Sequence, residues 1–304
     1  MKNIFKSGFL ILFLLVGCSP QLNKSLLNDL KELSSDKYEG RKTGTKGAEL
    51  AADFIAQRFE DISLLPYTNN SYRQLFSFDT DNKRLTGTNI IGLVKGTSDK
   101  TMVISAHYDH LGVKNGKTYN GADDNISGVA ALFYLADYFS KNKPYHTLIF
   151  AAFDAEEAGL KGSSFFVEDY LKRSSNIVLN INMDMIGISP KNEINIAGTY
   201  HYPFFREYIP ESENKAKIRL GHDNIHTDRD DWTNQSDHYS FFEHGIPFLY
   251  FGVENHKHYH QPTDTYQNIH KKFYINTVKN ILETIKNLDE GMMKRASFRK
   301  NLIH

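Results

Sequence analysis

The chain has 304 residues, enough for one large domain with a substantial core or for two small ones. Lysine plus arginine and aspartate plus glutamate each number 36, so the net charge is zero and carries no signal of a nucleic-acid partner. Cys18 is the single cysteine, which excludes an internal disulfide in any compartment.

From the N-terminus, Lys2 and Lys6 precede an apolar stretch, Gly8 to Gly17, ending in LVGC at Cys18. The stretch is too short for a mature membrane-spanning helix and has the form of a signal-peptide core. LVGC resembles a bacterial lipobox, against the plainer alternative of a signal peptide with a chance cysteine. The lipobox reading implies a lipoprotein signal peptide over residues 1–17, a membrane anchor on Cys18, and a polar linker over 18–25. By the same resemblance, Ser19 rather than Asp after the cysteine does not signal inner-membrane retention, so an exported lipoprotein on the periplasmic or cell-surface side, at the outer membrane, is the expectation. The folded domain is then expected over 26–304.

Thr45 is placed to N-cap a helix with Ala48, Ala51, Ala52, Ile55, Phe59 and Ile62 on one face. The apolar runs Asn89 to Val94, Met102 to Ala106, Thr147 to Phe153, Ile177 to Met183 and Ile246 to Phe251 predict buried strands. Val129, Leu132, Phe133, Ala136 and Phe139 give helical spacing after Ser127, and Ile275 to Leu288 carry a closing helix. Strands alternating with helices predict a single-domain, three-layer α/β/α sandwich with a largely parallel mixed sheet. Pro210 to Asp231 lacks periodicity and reads as a loop-rich excursion; the basic tail beyond Asp289 reads as a frayed helix end.

Residues of metal-ligand type stand in separate segments: His107 in SAHYDHLG, Asp124 in GADDNISG, Glu156 and Glu157 in FDAEEAGLKGS, Asp184 in NMDMIG, and His260 in HYHQPTDT. His107, the glutamate pair and Asp184 each follow a predicted strand, at the edge where open α/β sheets build their sites. Imidazole and carboxylate suit zinc, and a two-metal site needs a carboxylate that can bridge, so a two-metal hydrolase is the leading reading. Asp109 is placed to hold the second nitrogen of His107, or else caps a turn. Glu156, beside a ligand but outside the ligand set, is the candidate general base, although adjacent acids are usually a solvated loop. His256, His258 and His260 alternate; the first two read as surface or loop residues.

These motifs, in this order from Tyr38 to Leu288, resemble the zinc aminopeptidase family, whose relatives include glutaminyl cyclase and the transferrin-receptor ectodomain. GRKTGTKGAELAADFIAQRF, Gly40 to Phe59, resembles the family's opening stretch. The resemblance implies two zinc ions bridged by Asp124, with Asp123 the competing choice as a loop carboxylate. It further implies His107 and Asp184 on one ion, and Glu157 and His260 on the other. Tyr259 resembles a family tyrosine that hydrogen-bonds the tetrahedral intermediate. SDHYSF matches a segment near the pocket, where Asp237 and His238 are supporting or structural groups. Trp232, Phe241 and Phe242 are pocket candidates against ordinary core. The implied activity is aminopeptidase action on peptides with a free N-terminus. Glutaminyl cyclase, a carboxypeptidase or other amidohydrolase, and a silent surface binding protein remain the alternatives, and oligomeric state is not legible.

Overall fold

Alternate residues of the segment Thr147–Phe153 enter two different cores. Leu148, Phe150 and Ala152 join one apolar cluster, while Ile149, Ala151 and Phe153 join another. A strand covered on both faces needs apolar side chains at every position, and this one has them. The computed structural model describes residues 20–301 except 69, 82, 212–215 and 225–229. The expected signal segment and Cys18 lie outside the described residues.

In chain order the elements are α1 (Pro20–Leu33), a 3-10 turn (Asp36–Arg41), α2 (Lys46–Asp61), β1 (Leu65–Pro66), β2 (Arg73–Asp79), β3 (Arg84–Val94) and β4 (Thr101–His107). A hairpin of β5 (Gly112–Lys114) and β6 (Lys117–Tyr119) and the irregular turn Ala122–Ser127 lead to α3 (Gly128–Lys141) and β7 (Thr147–Phe153). Then come α4 (Lys161–Leu171), β8 (Ile177–Met183), β9 (Glu193–Ala197), β10 (Lys217–Leu220), α5 (His238–Phe242), β11 (Phe248–Gly252) and α6 (Lys271–Asn301).

The main sheet runs β1-β3-β7-β4-β8-β11-β9-β10, with β2 paired to β3. Its centre, β7-β4-β8-β11, is parallel, and β3 and β9 flank it antiparallel. Helices α1, α2, α3 and α6 pack on one face and α4 and α5 on the other. This is the expected three-layer sandwich with a mixed, centrally parallel sheet.

Thr45 caps α2 as expected, its side chain accepting from the Ala48 N–H. Two expectations need correction. The polar linker does not extend to residue 25, because α1 begins at Pro20 and buries Leu26, Leu30 and Leu33 in the main core. Leucines at helical spacing outweigh the polar residues between them. The excursion from Pro210 is not wholly loop, since β10 pairs in parallel with β9. The basic tail continues α6 to Asn301. Among the described residues, no helix is long and apolar enough to cross a membrane.

Candidate metal centre

The carboxyl ends of the parallel strands set the site. His107 is the last residue of β4; Glu156 and Glu157 follow β7; Asp184 follows β8 and donates its N–H to the carbonyl of Phe251 on β11. Asp124 reaches the same edge from the irregular turn before α3, and His260 from the loop before α6. Non-glycine residues in the left-handed region lie at three of these ligand segments: Ala155 (φ 60°), Met185 (φ 56°) and His260 itself (φ 53°). Such strain persists only where surrounding contacts hold it, and it concentrates at functional sites.

The candidate donors form two groups that share Asp124. His107 Nε2 lies 3.5 Å from Asp124 Oδ1 and 3.4 Å from Asp184 Oδ1. His260 Nε2 lies 3.1 Å from Asp124 Oδ2 and 3.4 Å from Glu157 Oε1. Each oxygen of Asp124 therefore faces a different group, the geometry a bridging carboxylate requires. Asp124 Oδ2, Glu157 Oε1 and Asp184 Oδ1 are buried without a hydrogen-bond partner. Zinc bonds of about 2.0–2.1 Å in a tetrahedral shell would hold donor atoms roughly 3.3 Å apart, and the observed separations bracket that value. Imidazole and carboxylate donors, orphaned and at this spacing, fit zinc.

The electrostatics of these side chains point the same way. The adjacent Asp124 and Glu157 carboxylates push His260 up to about 10. Burial works against charge on His107, but Asp184 and Glu156 raise it well above the ordinary imidazole range. Burial would raise Glu157, yet the adjacent His110 and His260 hold it well below the usual carboxylate range. Burial, opposed by His107 and reinforced by Asp184, lifts Glu156 well above that range. The carboxylates recruit protons in default of other positive charge; a divalent cation supplies that charge and reverses the logic.

Asp123 has the structural role that competed with bridging. Its carboxylate accepts from the N–H groups of Gly187 (2.6 Å) and Ile188 (3.2 Å) and meets His256 Nε2 at 2.8 Å. His256 is thus a buried partner of Asp123 rather than a surface residue, while His258 contacts Thr263 at the exposed edge of the loop. Asp109 does more than expected and does it elsewhere. Its carboxylate is 3.7 Å from His107 Nδ1, beyond hydrogen-bond length, and its main-chain carbonyl is nearer at 3.2 Å. The carboxylate instead accepts from the N–H groups of Glu156 and Glu157.

The remaining expectations divide. Tyr259 stacks on the His260 ring at 3.9 Å and lines a cleft of about 340 Å³ with Glu156, Asp184, Trp232 and Tyr250. Asp237 is fully buried with both carboxylate oxygens lacking a hydrogen-bond partner, and burial pushes it up to about 7. Burial lowers His238 to about 4; its Nε2 contacts the Trp232 carbonyl, and its ring stacks on Tyr250. Phe241 and Phe242 belong to apolar clusters and do not line the cleft, although Phe242 packs in the cluster that also holds the cleft residues Trp232 and Tyr250.

Three residues outside the expected set shape the site. Asp264, within the PTDT segment, accepts from the N–H groups of Asp123 and Asp124 and so fixes the bridging turn. Arg41, fully buried, donates to the carbonyls of Leu33, Tyr108, Asn120 and Gly121, tying the His107 and Asp124 segments together. It lies in the GRKTGTKG stretch, whose resemblance was the only signal for it. His110 is buried against Glu157, three residues after His107 in the same motif.

A three-layer α/β/α domain gathering carboxylates and imidazoles around a shared aspartate at its sheet edge has the form of a metal-binding α/β protein with its site at the carboxyl ends of the strands. The family model described as Peptidase family M28 matches residues 89–285, more than half of the chain, and the chain belongs to that family. A probable zinc metalloprotease of Pyrenophora tritici-repentis is 31% identical over 206 residues, which are 63% of this chain and 46% of that protein. Aminopeptidase YwaD of Bacillus subtilis is 31% identical over 201 residues, 62% of this chain and 41% of that protein. The match therefore spans less than half the length of either relative. Among solved structures, Fimbriiglobus ruber glutaminyl cyclase superposes with a TM-score of 0.69 at 16% identity, over 87% of this chain and 95% of that one, a likeness of fold alone.

Proposed function

We propose that the chain is a zinc aminopeptidase that hydrolyses the N-terminal residue from peptides, using two zinc ions held by His107, Asp124, Glu157, Asp184 and His260. One observation carries this reading: Asp124 offers Oδ1 to the His107 group and Oδ2 to the His260 group, at donor separations suited to zinc. Bound zinc supplies Lewis acidity and lowers the pKa of water toward neutrality.

The chain's own residues do the rest. Glu156, outside both donor groups and on the cleft wall, accepts the proton of the attacking water and delivers it to the departing amine. Asp109 holds the main chain of Glu156 and Glu157 in register with His107. Tyr259, on the same wall, donates to the oxyanion of the tetrahedral intermediate. Asp230 and Asp231 line the cleft apart from both donor groups and offer carboxylates to a substrate's free ammonium. Export on a lipid at Cys18, toward the outer membrane, is part of the same proposal and rests on LVGC ending the apolar run.

The test is a panel of free and N-blocked aminoacyl and peptidyl substrates, assayed with and without a strong chelator. Release of the first residue from free N-termini only, lost on chelation and restored by zinc, is expected. Cyclisation of N-terminal glutamine without peptide cleavage would instead assign the site to the cyclase reaction.

A further inference from the structure

We infer that His110 is a fourth protein ligand of the second cation, completing a site with Asp124, Glu157 and His260. The inference rests on the two-cation reading above and adds to it an asymmetry between the ions. His110 Nδ1 lies 2.9 Å from Glu157 Oε1 and 3.7 Å from Asp124 Oδ2, the same two oxygens that His260 Nε2 approaches at 3.4 and 3.1 Å respectively. His110, Asp124 and Glu157 each present a donor atom to one common space.

The bonding of the ring argues against an ordinary core histidine. Its side chain is fully buried, yet neither ring nitrogen has a hydrogen bond. Burying an imidazole without partners is costly, and native structures avoid it. The 2.9 Å approach to Glu157 is close without being a hydrogen bond, as expected where two lone pairs converge on a third point rather than on each other. The backbone is shaped for the ring as well. Gly121 has φ +51°, and a Cβ there would stand 2.0 Å from the Asp124 carbonyl oxygen and 2.6 Å from His110 Cδ2, so a larger residue would disturb both the bridging turn and the ring.

With His110 the second site has four protein donors, while His107, Asp124 and Asp184 give the first only three. Closed zinc sites hold metal firmly, and catalytic sites keep a position open. The second ion is therefore the tightly held one, and the first carries the exchangeable position.

Two measurements test this on the whole protein. In zinc titration of metal-free wild type and His110→Gln, the variant is expected to lose more than roughly 100-fold in affinity at one site, the upper end of what an outer-shell partner contributes. Circular dichroism of both metal-free proteins checks that the variant folds. Unchanged stepwise affinities overturn the inference. If wild type binds one ion only, the two-cation reading fails, and unchanged affinity for that ion in His110→Gln overturns the His110 assignment as well. Cobalt-loaded His110→Cys gives an independent readout, because a thiolate ligand produces a near-ultraviolet charge-transfer band absent from cobalt-loaded wild type. Lack of that band in a folded, cobalt-loaded variant overturns the assignment.

Discussion

The Asp109 carboxylate accepts the main-chain N–H of Glu156 at 3.0 Å, joining the loop after β4 to the loop after β7. The same carboxylate accepts the N–H of Glu157 at 3.2 Å. One side chain thus registers the candidate general base and a candidate ligand against His107. Asp109→Ala removes both acceptors and is expected to lower zinc affinity and turnover by about 10–100-fold, the usual effect of losing an outer-shell partner. Asp109→Asn, which keeps one acceptor, should lose less. Calorimetric zinc titration and steady-state kinetics read both, and equal defects in the two variants would count against the registering role.

Glu156 and Glu157 should separate cleanly. Glu156→Gln is expected to keep metal content and slow turnover by roughly 10²–10⁴-fold, the range for general acid–base catalysis. Glu157→Gln should lower metal occupancy, with a defect that eases in excess zinc. Near-normal turnover of Glu156→Gln on a free N-terminal substrate would place the base elsewhere.

Asp124 serves both donor groups through different oxygens, so Asp124→Ala should weaken both cations, whereas Asp184→Ala should chiefly weaken the one beside His107. Metal analysis after dialysis distinguishes the two patterns. Loss of a single ion in Asp124→Ala would remove the bridging role.

Away from the site, Asp289 on α6 accepts the N–H groups of Tyr145 and His146 and pairs with His146 Nδ1 at 2.7 Å. Burial works to raise its carboxyl, but the His146 side chain and those N–H groups outweigh it and hold it low. A carboxyl depressed on folding adds stability that is present above its unfolded pKa of about 3.9 and lost as pH falls through the folded value. Asp289→Ala should therefore destabilise at neutral pH, by about 1–3 kcal/mol for each donor left unpaired, and the gap from wild type should narrow in acid. Denaturant melts at pH 7 and pH 3 measure it; a gap that is constant or widens rules out the charge contribution.

The lipid proposal has its own test. Cys18→Ser should abolish fatty-acid labelling and release the protein from the membrane fraction, since each buried CH₂ of an acyl chain contributes about 0.8 kcal/mol to attachment. Absence of label on the native protein would leave a secreted form in its place.

What could be read from residues alone was what depends on near neighbours. The runs Thr147–Phe153 and Ile177–Met183 are continuous in apolar residues because both faces of those strands are covered, and β7 and β8 have those same bounds. His107, the glutamate pair and Asp184 were legible because they directly follow such runs. Elements with weaker local signals were not: β2 and β10 leave Leu75 and Leu220 exposed, and α1 hides its leucines among polar residues.

The choice between adjacent aspartates belongs to the tertiary structure. Asp123 turns toward Gly187 and Ile188 and Asp124 toward His107 and His260, because Asp264, 141 and 140 positions further along the chain, holds the N–H groups of both. The same holds for Arg41, which reaches the Tyr108 carbonyl across 67 positions, and for His256 against Asp123 across 133. Periodicity and capping report neighbours within a few residues, whereas the direction a side chain takes out of an irregular loop is set by partners that only the folded chain brings near.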